Sequence, residues 1–532
     1  MYRIALVNPV ARRNQGYHTI GQYIPMLGLQ VLARLAPPDV HIDIIDEIFG
    51  PECTNERLRR GNYDLVGLTG FTSGATRAYE IARQCREEGL PLVYGGPHAS
   101  ACPAEAMPHV DSVAIGECDD IWPGIIADAR AGRLQRVYQA TKLPEINRPG
   151  VGWGDQSKQP INGQYGIHCI QTSRGCPVGC EYCSVTKFNG PNIRRRLIND
   201  IVAEWNSVPK GKFIFVVDDN FFGVGPKHAI WAKQLLQHLA VRGNDHLWFS
   251  QTTINMGDDP QGLRLAYRAG CRGMLVGFET FNDANLKEYH KGINRKNMAR
   301  YQELVNTFHR HGVSLFGGFI VGADEDTIDT VATTVNQALA LGIDIVQITN
   351  LTPLPGTKQY DRYVREGRLF HTNFPEDWEK YTFTETVFAP RKMTAAELDQ
   401  SIVEVRHLAA EENWVWKRTL KTFLRTRSFT TAMFVLGMNI GWKRMAKNQQ
   451  PIDLERYGYR PTWNERMQLI RDSLGVTCIR RDLPKRRTQP AGTSTGGGNG
   501  VASQPASVPA PAPAAAAARS VSTATAAGLV LA

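Results

Sequence analysis

Ten consecutive residues, Arg174-Gly175-Cys176-Pro177-Val178-Gly179-Cys180-Glu181-Tyr182-Cys183, constrain this chain more than any others. Their cysteines, spaced C-x3-C-x2-C, lie close enough to converge on one inorganic centre, and soft thiolates suit zinc or an iron–sulfur cluster. A closed zinc site needs a fourth protein ligand, usually from a second paired knuckle. The sequence has no second C-x2-C, and the nearest spare thiol, Cys169, falls in the apolar stretch 167–172 that reads as a buried strand. The spacing therefore favours a 4Fe–4S cube on Cys176, Cys180 and Cys183, with one iron left open to bind a substrate. The remaining cysteines are scattered singly, which argues against a disulfide framework and for a reducing compartment. The start of the chain turns polar at Asn8 without a signal-peptide apolar core. No run of eighteen apolar residues occurs. A cytoplasmic enzyme is expected.

Around this motif the chain alternates short apolar strands with helical patterns, the signature of parallel α/β sheets. Residues 1–135 predict a doubly wound, Rossmann-like parallel sheet, with strands at 2–7, 41–46, 65–69, 91–94 and 112–115. Ligands of such sheets sit at the carboxyl ends of the strands. This marks Thr69 and Ser73, then Gly95, Gly96 and His98, then Gly116 and Glu117 as candidate binding residues. Residues 136–165 lack periodicity, hold several Pro and Gly, and read as a linker. Six further βα units fill 166–375, as in a partial (β/α)6 TIM-like barrel with its active residues at the strand C-terminal ends. A helical, basic region follows at 376–488. The Gly-, Ser-, Pro- and Ala-rich tail at 489–532 is expected to be disordered.

The cysteine segment, with Tyr182 before its third cysteine, strongly resembles the radical S-adenosylmethionine (SAM) superfamily. Other landmarks match the same family in order: Asp218-Asp219-Asn220-Phe221 after the second barrel strand, Glu279 after the fourth, and Gly318-x-Ile320-x-Gly322 on the fifth. Leu354-Pro355-Gly356 follows the sixth. Taken singly, each has an ordinary reading as a helix cap, surface residue or packing glycine; their arrival at successive strand ends favours the family. The resemblance implies a 4Fe–4S cluster that cleaves SAM to a 5′-deoxyadenosyl radical. It also implies that Tyr182, Glu279, Gly318, Ile320 and Gly322 adjoin the cluster and SAM. The preceding α/β domain resembles the cobalamin-binding domain of one large radical SAM class, which makes cobalamin the third expected cofactor. The D-x-H-x-x-G motif of a histidine-ligated cobalamin is missing; Asp39-Val40-His41 comes nearest but lacks the glycine.

The resemblance implies a cobalamin-dependent C-methyltransferase acting on a small molecule; the apolar, basic C-terminal region fits a lipid-like one, such as the hopanoids methylated by related enzymes, with another secondary metabolite as the other choice. The same two domains also occur in oxidative cyclases and rearrangement enzymes acting on tetrapyrroles or natural products. An electron donor such as flavodoxin or ferredoxin is the implied partner, and no residue is assigned a catalytic role. Charge bears on a third class. The chain carries a net +10, yet residues 391–490 alone hold 20 Lys and Arg against 10 Asp and Glu, so the rest is balanced. A basic C-terminus could serve RNA modification. However, the N-terminal cysteines are too widely spaced for a second cluster and the C-terminus reads as helical, so nucleic acid is not the expected partner. The uncharged run 429–442 with basic flanks suits either an interfacial helix docked peripherally on an anionic membrane or a helical lid packed over the barrel mouth.

Overall fold

The computed structural model describes residues 1–11, 24–48, 50–152, 154–155, 167–241 and 245–448. The expectations for the tail and for the end of the basic region lie outside these residues. The N-terminal sheet is wholly parallel, in the order β2-β1-β3-β4-β5-β6. Its strands are β1 (Tyr2–Asn8), β2 (Val40–Asp46), β3 (Leu65–Leu68), β4 (Leu92–Tyr94), β5 (Ser112–Ile115) and β6 (Val137–Gln139). Helices α1 (Leu27–Leu35), α2 (Asn55–Gly61), α3 (Ala75–Glu87), α4 (Gly96–Ala101) and α5 (Trp122–Arg130) connect them. Side chains alternate across a strand, so β1 feeds two cores. Ile4 and Leu6 pack with Leu29, Trp122 and Ile125. Ala5 and Val7 pack with Ala75, Ala78 and Ile81. Burying an Ile, Leu or Val contributes about 1.5–3 kcal/mol, which explains why β1 can be apolar on both faces. The strand order reverses between β1 and β3, and the crevice at such a switch point is where ligands bind. The sixth strand corrects the linker expectation: Val113, Ala114 and Ile115 of β5 pair with Val137, Tyr138 and Gln139.

The second sheet is also parallel: β7 (Ile167–Ile170), β10 (Phe213–Val216), β11 (Trp248–Thr252), β12 (Cys271–Glu279), β13 (Ser314–Val321) and β14 (Ile345–Asn350), adjacent in that order. Helices α6 (Ile198–Ser207), α7 (Pro226–Val241), α8 (Pro260–Arg268), α9 (Tyr301–Arg310) and α10 (Ile328–Leu341) are the crossovers. A small antiparallel hairpin, β8 (Ser173–Arg174) with β9 (Arg194–Arg195), brackets the cluster segment. Period-two alternation divides the barrel interior into two zones. Ile167, Cys169, Phe215, Phe249, Phe316 and Ile345 fill its N-terminal half. Two or four residues further along the same faces come Gln171, Val217, Gln251, Gly277, Gly318, Ile320 and Thr349, all half-buried. The mouth is therefore polar and glycine-rich above an apolar floor.

Three helices end the described chain: α11 (Ala395–Ala409), α12 (Glu412–Thr426) and α13 (Phe429–Asn448). They overturn the lid expectation, because α13 closes the floor of the barrel and not its mouth. Phe434 stacks on Phe213 with ring centroids 5.5 Å apart, and Phe434, Val435 and Met438 belong to the interior cluster. Thr431 Oγ1 donates to the carbonyl of Gly312 at 2.7 Å, and Asn439 Nδ2 to that of Asp344 at 3.1 Å. Both carbonyls lie just before strands. A side chain at Gly273 would begin 2.4 Å from the Phe434 ring. Most of the apolar run 429–442 is thus core, not interface. Among the described residues, no helix is long and apolar enough to cross a membrane.

Candidate active site

The cluster segment has almost no secondary structure of its own, so its shape is imposed by neighbours. Gly175 adopts φ +95°, where an added Cβ would lie 2.4 Å from the carbonyl oxygen of Asn192; only glycine fits both the angle and the space. Asp218 is fully buried and accepts from Thr172 N–H at 2.6 Å, from Ser173 N–H at 3.0 Å, and from both of their hydroxyls. Asp219 Oδ2 accepts from Gly175 N–H at 2.8 Å and from Asn189 at 3.1 Å. Burial is the main reason its carboxyl is pushed up to about 6, even though these two bonds favour the charge. The two aspartates are therefore anchors of the loop, not helix caps.

Cys176, Cys180 and Cys183 are partly buried free thiols on this loop. Burial first, then the neighbouring thiol Cys180, raises Cys176 and takes Cys183 to about 12. A metal or cluster beside a thiol lowers its pKa and favours the thiolate. Among the described residues, the His, Cys, Asp or Glu group with all ligand atoms within 4.8 Å of one another is His98, Cys102 and Glu105. Cys169 is fully buried in the barrel floor, away from the loop.

Beside the thiols Glu279 forms an ion pair with Lys291, a partner that no sequence motif signalled. Lys291 Nζ donates to Glu279 Oε1 at 2.7 Å and approaches Tyr182 OH at 3.4 Å. Burial works against the ammonium, but Cys180 and Glu279 outweigh it and hold its pKa above the ordinary value. Glu279 sits at φ +64° after a register shift in β12, a costly conformation in which its carboxylate meets Lys291. Gly277 and Gly318 pair across β12 and β13. A Cβ added at Gly318 would meet nothing nearer than 3.9 Å, so this wall is flat and open to a ligand. Ile320 shares its face. Gly322 does different work: at φ +104° it packs under Leu398, and its N–H donates to Asp326 at 2.8 Å.

The N-terminal domain faces this loop across a cavity of about 1010 Å³. Thr69, Ser73, Gly95, Gly96, Gly116 and Glu117 line one side; Gln171, Lys187, Val217, Asp219 and Leu354 line the other. Gly116, at φ +81°, has nothing within 4 Å of an added Cβ, whereas one at Gly96 would strike Thr69 Oγ1 at 2.4 Å. Bare backbone at the strand ends fits a large flat cofactor such as cobalamin. Two expected residues are used otherwise. His98 is fully buried away from the cavity, 3.2 Å from Glu105 and packed against Trp378, which also bonds Glu105 at 2.8 Å. No histidine among the described residues lines the cavity. Glu117 reaches the lining but spends its carboxylate on Arg174 at 2.5 Å and on Arg194. Asp119 adds bonds of 2.8 and 3.0 Å to Arg174. The result is a buried clamp from the N-terminal domain to the residue that opens the cluster loop.

Known proteins share both halves. The B12 binding domain family matches residues 16–126, and the Radical SAM superfamily matches residues 170–338. The bacteriochlorophyllide d C-8(2)-methyltransferase of Chlorobaculum tepidum is 30% identical over 67% of this chain and 78% of its own. The hopanoid C-2 methylase of Rhodopseudomonas palustris is 29% identical over 66% of each chain. The fold matches that of the radical SAM methyltransferase TsrM from Kitasatospora setae, solved with cobalamin and a [4Fe-4S] cluster, at a TM-score of 0.59. That alignment covers 90% of this chain and 100% of TsrM at 16% identity. The cofactors are accordingly a 4Fe–4S cluster, SAM and cobalamin. Because both family domains are present and kinship at 30% identity spans most of a known methyltransferase, the chain belongs to the cobalamin-dependent radical SAM methyltransferases.

Proposed function

We propose that this enzyme methylates an unactivated carbon of a hydrophobic small molecule, lipid-like or tetrapyrrole-like. In this reading Cys176, Cys180 and Cys183 hold the cluster. Tyr182, Glu279, Lys291, Gly277, Gly318 and Ile320 surround SAM. Thr69, Ser73, Gly95, Gly96 and Gly116 would cradle cobalamin. The observation that carries the reading is the single cavity lined by both the glycine-rich strand ends and the cluster side of the barrel. When bound, the cluster with SAM supplies a carbon radical that can take hydrogen from an unactivated carbon, and cobalamin supplies a methyl group. The protein's own share is placement and exclusion of water. Asp218, Asp219 and Arg174 fix the loop. Val217, Leu354, Tyr381 and Phe383 give the cavity apolar walls that favour a hydrophobic substrate. The two curated relatives, named for a bacteriochlorophyllide and a hopanoid, support that class. A one-electron donor such as flavodoxin or ferredoxin completes the system.

The test uses anaerobically reconstituted, cobalamin-loaded enzyme with SAM bearing a trideuterated methyl group, offered lipid and tetrapyrrole extracts. Mass spectrometry should find a product carrying the labelled methyl. SAM-dependent conversion to a product with no label would replace methyl transfer with cyclisation or rearrangement.

A further inference from the structure

We propose that one face of α12, continued by the start of α13, docks the enzyme on an anionic lipid bilayer. The inference is independent of the reaction and its substrate. Helix α12 is amphipathic in an unusual sense. Val415, Arg418, Thr422 and Thr426 form its buried stripe against the barrel. On this face Arg418 bonds the carbonyl of Ala409 and Thr422 bonds Asp344, while the exposed Arg425 reaches around to donate to the carbonyl of Gly342 at 3.2 Å. The buried face is thus largely polar. The outward face is not: Trp416, Leu420 and Leu424 recur at four-residue spacing and are 56%, 59% and 65% exposed, with Phe423 beside them. Phe429 and Met433 of α13 are exposed too. Six of the fifteen exposed large hydrophobics among the described residues therefore fall within eighteen consecutive positions. A contiguous apolar surface of this kind marks an interaction site, whereas single exposed residues do not.

Charge selects the occupant. From Asn413 to Asn448 the chain contains eight Lys and Arg and no Asp or Glu. On α12, the exposed Lys417 and Lys421 border the Trp416–Leu420–Leu424 stripe on one side, and the exposed Arg427 stands at its C-terminal end. Tryptophan, leucine and phenylalanine flanked by lysine and arginine are what a helix lying in a negatively charged membrane interface presents. A second copy of this chain would bring the same positive charge against itself. The patch lies at the barrel's N-terminal end, because α12 bonds Gly342 and Asp344 just before β14. Docking therefore holds the enzyme at the bilayer with its mouth directed away, and does not thread lipid straight into the cavity.

The test is sedimentation of full-length holoenzyme with vesicles of phosphatidylcholine alone or mixed with phosphatidylglycerol, at low and high salt. Two surface variants accompany it, Trp416→Ser/Leu420→Ser and Lys417→Gln/Lys421→Gln, with iron content and circular dichroism as folding controls. Wild type should bind the anionic vesicles only and be released by salt. The lysine variant should lose about 30-fold in partitioning at low salt, and the apolar variant should lose binding altogether. Failure of the folded wild type to bind, or equal binding by either variant, overturns the proposal. A concentration-dependent dimer that Leu420→Ser dissolves would overturn it in favour of a second copy.

Discussion

Replacing Arg174 with Gln should uncouple the N-terminal domain from the cluster loop. Its guanidinium makes buried bonds of 2.5 Å to Glu117 and of 2.8 and 3.0 Å to Asp119, and a partly buried one of 2.7 Å to Gln171. Burial opposes the charge, but Asp119 and Glu117 outweigh it and keep the guanidinium pKa above its usual value. Removing one member of a buried ion cluster leaves its partners uncompensated and costs about 3–5 kcal/mol. Glu117 would keep Arg194, so most of the loss falls on Asp119. The double variant Asp119→Asn/Arg174→Gln removes both charges and should be less destabilised than the sum of its parts by about 1–3 kcal/mol. The assay combines anaerobic denaturation of reconstituted protein with cobalamin retention and 5′-deoxyadenosine release from SAM. Arg174→Gln should shed cobalamin and slow SAM cleavage, and the double variant should recover part of both. Strict additivity, or single variants as stable as wild type, would refute the clamp.

Cys176→Ala, Cys180→Ala and Cys183→Ala should each lose the iron, measured as about four atoms per chain in wild type, while Cys169→Ala and Cys271→Ala, buried elsewhere, should keep it. Gly96→Val should expel cobalamin and spare the cluster, since its Cβ would meet Thr69 Oγ1 at 2.4 Å at a φ of +88°; retained cobalamin by absorbance would contradict the cradle. Asp399 is buried under Thr386, and burial lifts its carboxyl from 3.8 to about 7 despite the bonds Thr386 donates. A raised acid pKa means that the folded state holds the proton more tightly. The stabilisation is therefore full below about pH 4, lost as pH rises through about 7, and on the order of 4 kcal/mol. Asp399→Asn should flatten that slope in melting curves taken across the range, and an unchanged slope would exclude Asp399 as its source.

The βα alternation was legible because buried parallel strands are short, apolar and period-two, and the cysteine triplet because its ligands are adjacent in sequence. What escaped was long-range partnership. Glu117 and Glu279 were marked by position at strand ends, but their partners Arg174 and Lys291 follow from no local pattern. An acidic pair at Glu117 and Asp119, and a lone arginine opening the cluster motif, were the only hints of the clamp. His98 looked like a cofactor residue because it follows two glycines at a strand end. Its fate was set by Glu105 and by Trp378, far along the chain. The run 429–442 was read as surface or lid because an uncharged segment states that it needs burial, not where. Its place under the floor depended on the ring of Phe213, Phe249 and Phe316, which the strands bring together only when the barrel closes.

The same dependence on distant partners describes the cluster loop. Its backbone is held by elements that do not touch one another in sequence. Cys176 N–H donates to the Gly190 carbonyl at 3.2 Å, Glu181 N–H to Tyr289 at 3.2 Å, and Gln359 N–H to the Glu181 carbonyl at 3.2 Å. Asp219 holds Gly175, and Arg174 ties the loop's entrance to the N-terminal domain. A loop ordered from outside has low local stability until those elements are in place. Whatever binds only the ordered loop then shifts the folding equilibrium by mass action. Because linkage is reciprocal, docking of the N-terminal domain must raise cluster affinity as much as the cluster strengthens docking. If cobalamin binds that same domain, as proposed above, Arg174 and Asp219 are the residues through which its site and the cluster loop would be coupled. Assembly of this enzyme should therefore be cooperative, and iron content measured alongside cobalamin retention in Arg174→Gln should fall with it; full iron loading in a variant that has shed cobalamin would refute the coupling.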